Sequence, residues 1–217
     1  MTRNGGGSSK RDRILSTAER EFLEHGFDGT SIDTIVEHTG GSKSTVYAHF
    51  RDKSILFAEA LAQIRHEIDF SLSRFRSSTP GHTSEALLLL IVELLSVQFH
   101  ERALHLFRVV VSESNRFPEV ARQYFEEGPA EIVRHIEAFL AESRQAGAHF
   151  RGDAAAGAEL LFSLSRGPRQ MRVLLGLDPP PTPRITVLRA EQILAHFVEL
   201  IHWSDPPPKD AHNHPVS

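Results

Sequence analysis

A cluster of polar side chains between Ser42 and Lys53 has the residue types that can contact a DNA duplex. Hydroxyl groups can donate to phosphates or bases, a threonine methyl can contact thymine, a phenol can reach a phosphate, and an ammonium adds a point charge. Val46 and Phe50 recur four residues apart in the same segment, which predicts a short helix with one buried side. Its polar side would carry Ser42, Lys43, Ser44, Thr45, Tyr47 and His49, with Lys53 just beyond the helix.

Two short helices joined by a glycine turn would position this cluster. The run Thr30 to Asp33 offers a hydroxyl and an acid that satisfy the first amides of a helix, and we also expect Ser31 near the duplex. Gly40 and Gly41 end that helix, because glycine takes left-handed backbone angles without a steric penalty. This arrangement is typical of a DNA-reading helix-turn-helix. From polarity alone, the alternative that this segment is a solvated surface helix of an ordinary bundle is about as well supported as a DNA-reading helix.

The charge balance argues against a protein that coats nucleic acid indiscriminately. The formal net charge is -4, so any positive surface must come from the arrangement of basic residues. Four basic residues precede Ile14 against Asp12 alone, and three more lie in or beside the polar cluster. The composition remains compatible with a protein that binds a specific DNA sequence.

The composition also favours a cytoplasmic protein that does not enter a membrane. Cysteine is absent, which excludes disulfides and thiolate metal sites, and the longest apolar run falls short of the roughly 18 residues that span a bilayer. We expect no cofactor and no metal site, since the thirteen histidines lack convergent partners. We also expect a mobile arm over residues 1–9 and a disordered tail over residues 205–217.

Apolar residues recur at helical spacing almost everywhere, so the predicted fold class is all-α. A three-helix DNA-binding domain over residues 10–56 would be followed by a larger helical bundle over residues 57–204. The first helix would run from about Lys10 to His25, with Gly26 as its C-terminal cap. Gly128-Pro129 and Gly167-Pro168 predict kinks, since each proline removes a hydrogen bond within a helix.

The stretch from Arg11 to Leu61 resembles the DNA-binding domain of the TetR family. The matching motifs are Gly26-Phe27, Thr30-Ser31, the run Ser42 to Tyr47, Phe50 and Lys53. The resemblance implies that Ser42, Lys43, Thr45, Tyr47 and His49 face the major groove or its phosphates, and that Thr30 and Lys53 grip the DNA backbone. Two residues depart from the pattern: Gly41 replaces a small apolar residue, and Ser44 replaces a common glycine and adds a possible contact.

The run from Leu106 to Ala130 resembles a subgroup with AefR-like C-terminal domains. In that family the middle helices enclose an effector cavity and the last two helices pair with a second subunit. The cavity candidates are Phe99, Phe107, Arg108, Phe125, His135, Phe139 and Phe162, although phenylalanines at helical spacing are more often plain core. The candidates for the dimer interface, with internal core as the alternative, are Leu160, Leu164, Met171, Ile193, Phe197, Leu200 and Ile201.

The sequence therefore predicts a repressor that binds a pseudo-palindromic operator as a homodimer and is released by an apolar or aromatic small-molecule effector. One alternative is a helical sensor whose helix-turn-helix no longer binds DNA, which Gly41 favours. Another is an enzyme built in a helical cavity. The enzyme alternative is weak, because the sequence has no glycine-rich phosphate loop, paired-carboxylate motif or nucleophile elbow.

Overall fold

A computed structural model of the chain describes residues 9–76 and 81–207, and describes the side chains of all of these except residues 67–76. The described residues form helices and no strand, apart from one isolated bridge between His149 and Ser204. The predicted all-α class is confirmed. The helices are α1 (Lys10–Gly29), α2 (Ile32–Thr39), α3 (Lys43–His49), α4 (Lys53–Arg76), α5 (Ser84–Gln98), α6 (Glu101–Glu113), α7 (Pro118–Glu127), α8 (Pro129–Gln145), α9 (Ala154–Leu174) and α10 (Pro183–Ile201).

The chain packs as two compact units whose bounds differ from the predicted boundary after Leu56. The first unit holds the described residues up to Ile68 together with Arg102–Phe125. The second holds Asp69–Glu101 and the described residues from Glu126 onwards. Nearly all of α6 therefore packs with the helix-turn-helix, because Leu106, Val109 and Val110 join its apolar core.

Four phenylalanines form the aromatic centre of the first unit. Phe57 packs edge-on against Phe22, with ring centroids 5.0 Å apart, and lies 5.0 Å from Phe117. Phe27 lies 4.8 Å from the same Phe117 ring. Since Phe117 follows α6 and the other three belong to α1 and α4, aromatic packing joins the two segments of this unit. Edge-to-face pairs of this kind add about 0.5 to 1.5 kcal/mol beyond burial of their area.

Ion pairs reinforce the same junction inside the first unit. Arg102 of α6 donates to the buried carboxylate of Glu19 in α1 at 2.8 Å. Arg116 donates to Asp28 at 2.6 Å, and its guanidinium lies 4.3 Å from the Phe27 ring centroid. The segment from α6 to Phe117 is therefore anchored to α1 by charge as well as by rings.

The second unit is a bundle in which α9 packs against α8, and α10 packs against both α5 and α9. Leu87, Ile91, Leu140 and Leu161 are fully buried in it. Gly157 allows the close approach of α8 and α9, because a Cβ at this position would lie 2.9 Å from a methyl carbon of Leu140. A larger residue there would push these helices apart.

The two predicted kinks turn out differently. At Gly167 the backbone leaves the helical region, with φ 49° and ψ -174°, and α9 kinks there as predicted. At Gly128 the chain breaks completely, so that α7 and α8 are separate helices. Gly26, with φ 68°, interrupts α1 where the sequence predicted a cap.

The predicted arm and tail fall largely outside the described residues, which include only Ser9 of the arm and residues 205–207 of the tail. Ser9 forms a capping box with Asp12 at the start of α1. Asp205 accepts hydrogen bonds from the backbone amide of Ser84 at 2.6 Å and from the Trp203 indole at 2.9 Å. Ser9 and Asp205 therefore have defined contacts, although the sequence predicted that they belong to a mobile arm and a disordered tail. None of the described helices combines the length and apolar character needed to cross a membrane.

Candidate nucleic-acid interface

The turn between α2 and α3 is built on two glycines in the left-handed region. Gly40 has φ 66° and Gly41 has φ 109°. Residues with a Cβ rarely adopt these angles, which explains why Gly41 stands where the family usually has a small apolar residue. The Gly40 amide still donates to the Val36 carbonyl, so α2 ends with a satisfied hydrogen bond.

Lys10 of α1 secures this turn from thirty residues away. Its ammonium donates to the carbonyl oxygen of Thr39 at 2.8 Å and also to that of Gly40. A Cβ at Gly41 would lie 3.4 Å from the same Nζ atom. A methyl group at Gly41 would therefore only touch the amine, so the positive φ of Gly41 and not lack of space is what favours glycine there, while the amine lies at the negative end of the α2 dipole.

We expect Lys10→Met to lower the free energy of unfolding by about 1 to 2 kcal/mol, because two carbonyl groups lose a charged donor. Gly41→Ala should cost a similar amount, since alanine is strained at a positive φ. Chemical denaturation followed by circular dichroism measures both. Arg51→Met is the matched control, because it removes an exposed cation from the same unit. An unfolding midpoint of Lys10→Met equal to that of the wild type would contradict this account of the turn.

Helix α3 has the predicted two-sided character. Val46 and Phe50 are 2% and 1% exposed, and the Arg11 guanidinium covers the Phe50 ring at 4.9 Å. Tyr47 is 47% exposed although it is a large aromatic residue, and Lys43 is equally open. Ser42, Lys43, Ser44, Tyr47 and His49 are all exposed, and Thr45 is half-buried.

The hydroxyl groups around the turn form a connected set. Ser42 caps α3 by accepting from the Thr45 amide at 3.3 Å, and its oxygen lies 2.6 Å from the Ser44 hydroxyl. Ser31 caps α2 in the same way, accepting from the Thr34 amide at 3.0 Å. Because these groups are exposed and already oriented, they can exchange partners with a phosphate at little cost in side-chain entropy.

Lys43 is paired across the two helices of the motif. Its ammonium lies 2.9 Å from the Asp33 carboxylate of α2. The hydrogen bond and the charge of Asp33 raise the pKa of Lys43. Asp33 was not among the predicted site residues, although its place in the capping run gave it a structural role. The pair orients Lys43 but also competes with a phosphate for it.

The side chains of Thr30 and Lys53 do not extend into solvent, where the resemblance implied that they would contact the DNA backbone. The Thr30 side chain is 2% exposed, and its hydroxyl donates to the Gly26 carbonyl at 2.9 Å. Thr30 therefore caps the end of α1, and its side chain is not placed to contact the DNA backbone as predicted. The Lys53 ammonium lies 4.3 Å from the Phe27 ring centroid, and partial burial lowers its pKa. It is held against an aromatic ring instead of extending into solvent.

Comparison with known proteins decides the family. Residues 14–60 match the bacterial regulatory proteins of the tetR family, and residues 85–200, more than half of the chain, match the C-terminal domain of AefR-like transcriptional repressors. The chain belongs to the TetR family. TetR proteins are DNA-binding regulators and not enzymes, so the enzyme alternative is set aside.

Individual relatives agree with this assignment. The transcriptional repressor BepR of Brucella suis is 28% identical over 114 residues, which cover 51% of this chain and 54% of BepR. The chain thus spans about half the length of the curated relatives it matches. The structure of the Flavonoid-responsive Regulator FrrA is 31% identical with a TM-score of 0.69, covering 88% and 96% of the two chains. A TetR-family regulator from Mesorhizobium loti shares the fold, with a TM-score of 0.76 at 23% identity over 94% and 100% of the chains.

The predicted cavity residues of this TetR protein are divided between its two units. Phe107, Arg108 and Phe125 belong to the first unit, where Phe107 packs 6.0 Å from Tyr124 and Phe125 is 57% exposed. Phe125 therefore points to solvent and lines no interior. Phe99 is buried in the second unit as the cap of α5, which is the plain-core alternative.

The remaining cavity candidates lie in the second unit and contact other side chains. His135 lies 3.0 Å from Glu131, and Phe139 lies 6.0 Å from the His82 ring. Arg166 covers the Phe162 ring at 5.2 Å. His82 and Arg166 were not predicted; their signal was only their polar character amid apolar helices.

Three of the predicted dimer residues belong to the core of the chain itself. Ile193, Phe197 and Ile201 are 7%, 0% and 6% exposed and pack within the second unit. They cannot present a surface to a partner, so this part of the interface prediction is wrong. Leu160 and Leu164 are half-buried, while Met171 and Leu200 are more than half exposed. The opposite side of α10 carries further exposed apolar residues that the prediction omitted: Ile185, Val187 and Leu188.

Proposed function

We propose that this chain is a TetR-type repressor whose α3 enters the major groove of a pseudo-palindromic operator. The observation that carries the proposal is the two-sided α3, with Val46 and Phe50 buried while Lys43 and Tyr47 face solvent. A surface helix of an ordinary bundle has no reason to expose a tyrosine beside an oriented lysine and three hydroxyl groups. The contacts would come from Ser31, Ser42, Lys43, Ser44, Thr45, Tyr47 and His49.

A homodimer is part of this proposal. Met171, Leu188 and Leu200 expose large apolar surfaces on α9 and α10, and exposed apolar patches mark interfaces. A two-fold dimer would set two copies of α3 about 34 to 36 Å apart, which matches successive major grooves. The homodimer would therefore double the number of contacts made by each residue of α3.

Release by a small-molecule effector completes the proposal. FrrA, which is 31% identical, is named as responsive to flavonoids, and this supports an apolar or aromatic effector for this chain. Binding in the second unit would favour a conformation with a different spacing of the two α3 helices. The operator affinity would then fall by the coupling energy, typically about 1 to 3 kcal/mol. We place the protein in the cytoplasm, where its operator would be.

DNase footprinting on the intergenic DNA flanking the gene tests this function. We expect one protected region containing an inverted repeat, and we expect an apolar or aromatic extract of small molecules to reduce the protection. Protection that is absent at every position would favour the alternative of a helical sensor that does not bind DNA. If no extract changes the protection, operator binding by the protein would still be supported, but release by an effector would be contradicted.

The Asp33–Lys43 pair makes a separate prediction about affinity. Asp33→Asn removes a negative charge near the phosphates and frees Lys43, so we expect operator and non-specific affinity to rise about two- to fivefold at low salt. Fluorescence anisotropy with labelled duplexes measures both. Glu24→Gln is the control, because it removes an exposed charge from α1. Equal affinity of Asp33→Asn and the wild type would show that the ion pair does not compete with DNA.

A further inference from the structure

The region around the α9 kink concentrates positive charge on an otherwise acidic protein. Between residues 160 and 190 the chain has five arginines and a single acidic residue, Asp178, while the whole chain has a net charge of -4. All of these residues belong to α9, α10 or the segment between them, within the second unit. The arginines are Arg166, Arg169, Arg172, Arg184 and Arg189.

The only acidic residue of this stretch, Asp178, already forms an ion pair with Arg172. Arg172 donates to both oxygens of Asp178, at 2.8 and 3.0 Å, which is the bidentate geometry that satisfies a carboxylate. Arg166 donates to the amide oxygen of Gln170 at 2.7 Å. Arg169 and Arg189 have no carboxylate partner among the described residues, and the Nε atom of each is buried without a hydrogen bond.

The guanidinium group of Arg189 packs at the α9 kink, close to Gly167. Gly167 has φ 49°, and a Cβ at this position would lie 3.3 Å from the Nη2 atom of Arg189. The missing side chain thus makes room for the guanidinium. Partial burial lowers the pKa of Arg189, and the positive charge of neighbouring Arg169 lowers it further. Arg169 follows Gly167 by two residues, so both arginines belong to the same kink region and carry like charges.

Two partly buried like charges without a counter-charge cost free energy unless an anion joins them. A carboxylate of a partner subunit is the alternative counter-charge, since a two-fold interface sets each residue against a different residue of the partner unless it lies on the axis, and the experiment below separates this case. Paired guanidinium groups with unused N–H donors are instead the arrangement that recognises oxyanions, whose oxygens accept several charge-assisted hydrogen bonds.

We propose that Arg169 and Arg189 form a binding site for a compact, doubly charged oxyanion, with the chemistry of a phosphate group, at the α9 kink. The anion would bridge α9 and α10 and accept from the buried Nε donors. This site is independent of the DNA-contacting residues and of the apolar effector proposed above. It needs neither operator binding nor release to be tested.

Thermal unfolding of the full chain in inorganic phosphate, compared with chloride at equal ionic strength, tests the site. At about five times its dissociation constant, phosphate should raise the Tm by about 2 to 4 °C. Arg189→Met and Arg169→Met should abolish this rise while keeping the apolar stem of the side chain. Both variants should also unfold at a higher Tm than the wild type in chloride, because the repulsion is gone. Arg184→Met is the matched control, since Arg184 is exposed on the same helix, and should keep the phosphate effect.

Four outcomes would overturn the proposal. The first is no difference between phosphate and chloride in the wild type, and the second is a difference that survives in Arg189→Met. The third is stabilisation by succinate but not by phosphate, which would assign the site to dicarboxylates. Loss of self-association in Arg189→Met without any phosphate effect would show that a partner subunit fills the site. Footprinting measures operator binding separately, so failure of the phosphate site is distinguishable from failure of the proposed repressor function.

Discussion

Tyr47→Ala and Lys43→Ala are each expected to weaken operator binding by at least tenfold without changing the fold. Both side chains project from α3 into solvent, so their removal leaves the core around Val46 intact. A contact to a base edge is worth about 1 to 3 kcal/mol, and each substitution acts twice in a homodimer. Lys43→Ala should also reduce the slope of log affinity against log salt by about 2, because each phosphate contact contributes about 0.9.

Fluorescence anisotropy over a range of salt concentrations measures these effects, and circular dichroism and sedimentation show whether fold and assembly persist. Tyr47→Phe separates the phenol hydroxyl from the ring, and Val111→Ala serves as a control on an exposed apolar residue of the same unit. Wild-type affinity in both alanine variants would remove α3 from the interface. A loss of helicity in either variant would mean that the side chain supports the fold and that its DNA contact must be tested by the conservative change.

The second large effect concerns the dimer. Leu188→Glu and Met171→Glu place a charge on surfaces that are 50% and 59% exposed, so we expect folded monomers by sedimentation and a loss of operator affinity of at least a hundredfold. Phe197→Glu should behave differently. Its side chain is fully buried, and a buried unpaired charge costs more than about 4 kcal/mol, so that variant should unfold and not dissociate.

Leu89→Glu is the matched control for the dimer, since Leu89 is an apolar residue of α5 with 45% exposure. It should leave sedimentation unchanged. If Leu188→Glu and Met171→Glu remain dimers while Leu89→Glu dissociates, the interface lies on α5. If all three remain dimers, the interface lies outside these surfaces. Either result would contradict the assignment to α9 and α10.

Helix α3 and its exposed polar side could be predicted from the sequence because their determinants are local. Val46 and Phe50 are separated by one helical turn and both are buried, and Ser31 and Ser42 cap the helices that follow them. The glycine turn is equally local, since the tolerance of a positive φ is a property of glycine itself. Ser31, Ser42, Ser44 and Tyr47 are exposed as the spacing predicted.

The errors arise where a side chain depends on a residue far away in the sequence. Lys10 reaches the turn from thirty residues away, and Lys53 is held by Phe27, so neither position follows from spacing. Helix α10 has apolar residues on two sides, and periodicity cannot say which side the bundle covers. Phe197 is buried and Leu188 is exposed, because α5 and α9 pack on the side of α10 that carries Phe197.

Selection of binding sites from a random duplex library tests the central claim most directly. The full-length protein, at low ionic strength, should enrich an inverted repeat whose half-sites lie about one helical turn, roughly 34 to 36 Å, apart. The enrichment should disappear when Tyr47→Ala replaces the wild type under the same conditions. A folded sample that enriches no sequence over the starting library would contradict the claim that α3 reads DNA.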